Sequence, residues 1–238
     1  MNEQLIQNIK IDWQKIETYS YLRAIDAIRN LKMMEFRCPV TFFVGENGTG
    51  KSTLLEAMAI ACGFNPEGGT KNYNFSTYDS HSELCDALSI TKGYRRAKWG
   101  YFLRAESFYN VATKEEEYAM AGGTSDHLHE KSHGESFLAA AQRQLRADSV
   151  YFFDEPEAAL SPQRQLTLLM EIYQCAKKGS QFFIATHSPI LLGMPDAEIL
   201  SFDGGIIHPC TYEETDSYRV TEMFIHNREQ ILRQLLML

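Results

Sequence analysis

The sequence predicts an α/β fold in which a sheet is covered on both faces by helices. Three observations point there. Short apolar runs rich in β-branched and aromatic residues recur along the chain, stretches with helical apolar spacing lie between them, and glycines stand where one gives way to the other.

Residues 39–44 (PVTFFV) read as a buried strand that ends at Gly45, and residues 51–62 (KSTLLEAMAIAC) as a helix that stops near Gly63. Residues 98–105 form one clear strand, and SVYFF (149–153) and QFFIA (181–185) are two more buried strands. Between these last two, Pro162 opens a helix over 162–177, with Leu166, Leu169, Met170, Ile172 and Tyr173 as its apolar spacing. Residues 197–208 read as a strand pair turning at Asp203-Gly204-Gly205, and 217–237 as a final amphipathic helix. The stretch 64–134 is rich in Gly, Asn, Ser and His and is read as a lobe inserted into a single domain spanning 1–238. Core packing is the simpler reading of Tyr19 and Tyr21, against a contact with a nucleotide base.

The 238 residues suffice to bury a full core. No apolar run reaches the roughly 18 residues of a membrane span, and the polar N-terminus has no signal-peptide core, so the expected location is the cytoplasm. Five scattered cysteines without CxxC spacing suit free thiols in a reducing compartment. The net charge of −8 argues against general nucleic-acid binding, which draws its affinity from neutralised phosphates. The basic segment Lys92 to Lys98 is a local exception, read as a solvated loop.

Between the first buried strand and the helix after it lies Gly45-Glu46-Asn47-Gly48-Thr49-Gly50-Lys51-Ser52, followed by Thr53. This is G-x-x-x-x-G-K-[ST] in its required strand-to-helix context. Backbone N–H groups of such a loop wrap a phosphate chain, the helix N-terminus adds positive dipole, and Lys51 adds a full charge. The Ser52 hydroxyl is a candidate Mg²⁺ ligand. A second constellation is Asp154-Glu155 at the end of a buried strand, where an acid is costly unless a cation meets it. Asp154 is the candidate metal carboxylate, and Glu155 the candidate base that orients or deprotonates water.

A third segment, Lys131-Ser132-His133-Gly134-Glu135-Ser136, precedes a helical pattern and makes another anion-binding helix start. It resembles the signature motif of the ABC-type ATPases, L-S-G-G-Q. Ser132, Gly134 and Glu135 stand at its Ser, second Gly and Gln, while Lys131 replaces Leu and His133 the first Gly. Pro156 to Pro162 looks like the D-loop of that family, with Ser161 where Asp is common. His187, in Ala185-Thr186-His187-Ser188-Pro189, matches its switch histidine, 32 residues past Glu155. Glu106, after the strand at 98–105, stands where the family has a Gln that reaches the metal.

The resemblance runs from about residue 20 to the end, and is nearest to small bacterial AAA-labelled ATPases built like ABC proteins. It implies an ABC-type ATPase head with a mixed sheet core and an inserted helical lobe. It also implies ATP and Mg²⁺ as ligands, and a homodimer in which the signature of one copy caps the γ-phosphate held by the other. An effector protein would take up the motion. Two alternatives carry the same motifs: the ATPase subunit of a membrane transporter, and a DNA- or RNA-associated ATPase of repair or defence. Only 80 residues separate Lys51 from Ser132, too few for the long coiled coil of the chromosome-type relatives.

Overall fold

The computed structural model describes residues 2–71, 82–105 and 133–237, with 133–137 described by their backbone alone. Nine strands occur among these residues: β1 (Ile6–Ile11), β2 (Met33–Glu35), β3 (Val40–Val44), β4 (Leu88–Lys92), β5 (Trp99–Arg104), β6 (Ser149–Asp154), β7 (Gln181–Ala185), β8 (Glu198–Ser201) and β9 (His208–Pro209). The helices are α1 (Asp26–Arg29), α2 (Lys51–Ala61), α3 (Leu84–Ala87), α4 (His133–Gln144), α5 (Pro162–Lys177), α6 (Pro189–Leu192) and α7 (Asp216–Leu236).

The main sheet runs β5-β6-β7-β3-β8-β9. Neighbours from β5 to β8 are parallel, and β9 closes the edge antiparallel to β8. Every residue of β3, β6 and β7 is buried, as expected of parallel strands covered on both sides. Their side chains alternate between two cores. Phe43, Phe152 and Phe183 face α2 and the N-terminal sheet, and Phe42, Tyr151, Phe153 and Phe182 face α5 and α6. Cross-strand aromatic stacking marks both faces, with ring centroids 5.3 Å apart for Phe152 and Phe183 and 4.6 Å apart for Tyr151 and Phe182.

A second, antiparallel sheet, β2-β1-β4, packs over α2 and is absent from the sequence reading. Its strands are short or half-exposed, so their apolar residues do not form the continuous runs that mark β3, β6 and β7. The stretch 64–134 therefore contains β4 as well as the expected β5. The polar side chain of Gln181 joins the two sheets: its Oε1 accepts from Ile6 N at 2.7 Å, and its Nε2 donates to Ile6 O at 2.9 Å.

Other expectations change in detail. In α5 the buried face is Leu168, Ile172, Cys175 and Ala176, whereas Leu166 and Met170 are half-exposed. Apolar residues outnumber the positions facing the core, so their spacing alone does not phase this helix. Tyr19 and Tyr21 are exposed, not core residues, because they sit on the surface turn leading into α1. Helix α7 is present, but none of its described residues is buried, and it meets the body through its first turns, where Tyr218 packs on Tyr212. In the basic segment, Arg95 and Lys98 both bond Asp148, which uses part of its charge internally. No helix among the described residues is long and apolar enough to cross a membrane.

Gly100, in β5, sets how closely this strand approaches its neighbours. A Cβ there would lie 2.7 Å from Val150 O and 2.6 Å from Phe64 Cζ, and the backbone oxygen cannot move without disturbing the ladder. Gly100→Ala is therefore expected to lower the unfolding free energy by about 1–3 kcal/mol, measured by urea titration. Unchanged stability would contradict this packing.

Candidate functional site

The parallel register decides where the site lies. Arg104 pairs with Asp154, Asp154 with Ala185, and Phe43 with Ala185, while Val44 pairs with Ser201. The C-terminal ends of five strands are thus level, and the segments that leave them converge along one edge. Helix α2 returns over one face of the sheet and α5 over the other. The chain after β3 accordingly opens at a point where connections diverge, the usual place for a ligand in such sheets.

That chain is the phosphate loop. Gly45, Gly48 and Gly50 all have positive φ, which turns successive backbone groups inward. At Gly50 a Cβ would also lie 2.8 Å from Ile25 Cγ2 and 2.9 Å from Ile28 Cγ1, so the loop can close on α1 only with glycine there. The Thr49 hydroxyl donates to Glu46 O at 2.8 Å, and Leu54 N donates to Gly50 O at 2.9 Å as α2 begins. Asn47 and Gly48 are exposed at the tip, and Thr53 is half-buried in the first turn of α2. The Lys51 ammonium is buried and donates to Gly45 O at 2.6 Å and Glu46 O at 2.8 Å. Burial pushes its pKa down, and the carboxylates of Glu155, Asp203, Asp154 and Glu157 push it back up.

The two candidate metal ligands meet. Ser52 Oγ donates to Asp154 Oδ1 at 2.8 Å, although 102 positions separate them. Asp154 is itself buried. On its other side Arg104, at the end of β5, places Nε 4.0 Å from Asp154 Oδ2 and bonds Glu56 of α2 at 2.7 Å. A hydroxyl and a carboxylate oxygen in contact, at the start of a glycine loop, form a hard-oxygen donor set that suits Mg²⁺. The described residues contain no group of three or more His, Cys, Asp or Glu suited to a metal, so any ion here shares its coordination with a ligand or water.

Glu155 follows directly with φ of +48°, a left-handed conformation that is uncommon and strained for a glutamate. Its N–H donates to Ala185 O at 2.9 Å, which extends the β6–β7 ladder by one bond. His187 stands on the adjacent segment. Its backbone N–H donates to Glu157 Oε1 at 2.6 Å, and its Nε2 is buried with no hydrogen-bond partner among the described residues. His187 and Gly45 line the same cleft of about 800 Å³ beside the phosphate loop.

Sequence reasoning missed three contributors. Asp203, read only as a turn residue, accepts from Glu46 N at 2.8 Å and fixes the start of the phosphate loop. Arg104 and Glu157 shape the surroundings of Asp154 and His187. A charged residue at or just past the end of a strand was the available signal for Arg104 and Asp203. The cleft is acidic, with Glu46, Asp203, Glu214 and Asp216 along it and Arg219 as its basic side chain.

Of the expected signature residues, Gly134 and Glu135 lie in the first turn of α4. Ser132 and Glu106 lie outside the described residues.

Residues 136–193 match the family model described as "AAA domain, putative AbiEii toxin, Type IV TA system". That segment carries Asp154, Glu155, the D-loop-like turn and His187, and begins at Ser136, the last residue of the signature-like segment. No curated protein matches the chain. Among solved structures, the chain is similar to the SMC head domain from Thermotoga maritima, with 12% identity over 87% of this chain and 99% of that one, at a TM-score of 0.45. It is similar to an SmcHead bound to the C-winged helix domain of ScpA, with 15% identity over 88% and 98% and a TM-score of 0.48. It is also similar to a putative metal-chelate type ABC transporter in an inward-facing conformation, with 15% identity over 76% and 75% and a TM-score of 0.44. The glycine loop between β3 and α2, the acid pair at the end of β6 and the match over 136–193 together support a P-loop ATPase of the ABC/AAA-like type.

Proposed function

We propose that this chain hydrolyses ATP with Mg²⁺ between two copies of itself, and that the opening and closing of the pair acts on an effector protein. The observation that carries the reading is the contact of Ser52 with Asp154 directly beneath the phosphate loop. Two oxygen donors from distant parts of the sequence are brought together where a cation is needed and where Lys51 can reach phosphates.

The backbone of Gly45 to Ser52, with Asn47, Thr49 and Thr53, would hold the phosphate chain, and Lys51 would exchange its bonds to Gly45 O and Glu46 O for phosphate oxygens. Ser52 and Asp154 would hold Mg²⁺, which would supply charge neutralisation at the phosphates. The acidity of the cleft favours a nucleotide that arrives with such a cation over one that arrives bare. Glu155 orients the attacking water and takes its proton. The buried Nε2 of His187 is the atom suited to contact the terminal phosphate. Ser132, Gly134 and Glu135 of a second copy would close the site, and Glu106 would reach the metal from the lobe inserted at 64–134. Most of the rate effect then lies in positioning and fixed charge, as phosphoryl transfer demands.

The description of the family model matched over 136–193 names an AAA domain, which supports the ATPase reading.

Lys51→Ala is expected to weaken binding of a fluorescent ATP analogue by about 30-fold or more, as loss of a buried charged contact should. Binding at wild-type strength would contradict the role of the loop. Glu155→Gln is expected to bind ATP normally, to lose about 100-fold or more in turnover, and to elute as an ATP-dependent dimer by light scattering. A monomer with wild-type turnover would overturn the assignment of the base.

A further inference from the structure

Two segments leave adjacent strands at the site edge: 155–161 after β6, and 186–188 after β7. Three bonds tie these segments, or the elements that flank them, together. Glu155 N donates to Ala185 O at 2.9 Å, His187 N donates to Glu157 Oε1 at 2.6 Å, and the Ser188 hydroxyl donates to Gln165 Oε1 at 2.6 Å. Gln165 in turn donates from Nε2 to Leu160 O at 3.0 Å. The turn itself is internally closed by Ala158 N to Glu155 O and Leu160 N to Glu157 O. The first tie is backbone to backbone and would form with any side chain. The second depends on one carboxylate.

That carboxylate is in a costly place. Glu157 Oε2 is buried and has no hydrogen-bond partner among the described residues. Burial pushes the Glu157 carboxyl above its ordinary value, and the His187 amide works in the opposite direction. A buried acid with one oxygen unsatisfied is destabilising by itself, so packing does not explain it. What the residue gains is a charge-assisted bond, about twice as strong as a neutral one, onto the peptide that carries His187.

We propose that Glu157 is the positioning residue that aims His187: it fixes the Thr186–His187 peptide, and thereby makes the direction of the imidazole depend on the conformation of the 155–161 turn. The proposal rests on the reading of His187 as the group that meets the terminal phosphate. Glu157 itself touches neither nucleotide nor metal. Movement of the 155–161 turn then passes to the peptide that carries His187 through this bond. Glu155, two residues upstream in the same turn, moves with it.

The test uses the full chain with Glu157→Gln, Glu157→Asp and Glu157→Ala, each alone and the last also combined with His187→Ala. Gln keeps an acceptor oxygen at the same reach, Asp keeps the charge but withdraws it by one methylene, and Ala removes both. Expected are a loss of about tenfold or more in kcat for Asp and Ala with KM for ATP unchanged within about twofold, and for Gln at least a third of wild-type turnover. Adding Glu157→Ala to His187→Ala should cost nothing further. Hydrogen exchange at the His187 amide should quicken about tenfold in Ala and Asp and stay slow in Gln. Wild-type kcat in Asp, a loss in Gln as deep as in Ala, or independent losses in the double variant would overturn the proposal. If wild-type protein shows no ATPase, the function reading fails by itself. The exchange measurement still decides the tie, because unchanged protection in Asp would overturn it. Should Ala not fold, Asp and Gln carry the comparison.

Discussion

An ionised carboxylate at the end of a completely buried strand has to be compensated, and the structure meets that need at Asp154 from both sides. Ser52 of α2 donates to one oxygen, and the Arg104 guanidinium stands near the other. The arrangement exists because β5, β6, β7 and β3 are parallel and in level register, so that Arg104, Asp154, Ala185 and Phe43 reach the same height in the sheet. The phosphate loop lies above that row, with α2 leading away from it. A shift of one residue in the pairing of β6 would turn Asp154 toward the opposite face and separate it from Ser52. The aromatic stacks of Phe152 on Phe183 and Tyr151 on Phe182 oppose such a shift, since each face would have to exchange its whole set.

Charge is distributed with the same economy. Lys51 is buried among backbone oxygens and flanked by carboxylates, which lets a cation remain charged out of water. Asp203 holds the entry of the phosphate loop through Glu46 N, and Glu157 holds the segment of His187. In each case an acid is used to fix a backbone peptide beside the place where phosphates would sit. Rigid backbone is what a site that works by positioning needs, because its donors must already point the right way when charge develops.

Much of this was legible in the sequence. The runs PVTFFV, SVYFF and QFFIA are continuous because both faces of their strands are covered, so neither length nor burial was ambiguous. The glycine loop carried its own strand and helix as context. Less legible were strands that obey only half of that rule. Ile6–Ile11 and Leu88–Lys92 are partly solvated, and their pairing joins residues more than 75 positions apart, which no local pattern encodes. The phase of α5 was misread because Leu166 and Met170 are apolar yet face outward. At the site, residue types pointed to Lys51, Ser52, Asp154, Glu155 and His187, and the fold brings them to one edge of the sheet. Their neighbours Arg104, Asp203 and Glu157 are ordinary charged residues whose importance comes only from what lies across the sheet.

We propose that one chain holds an incomplete site and that a second chain supplies what is missing. The direct measurement is specific ATPase activity against protein concentration, carried from well above to far below the self-association constant found by sedimentation. The account predicts that turnover per chain falls on dilution and tracks the fraction of dimer. Turnover that stays constant while the protein is wholly monomeric would contradict it.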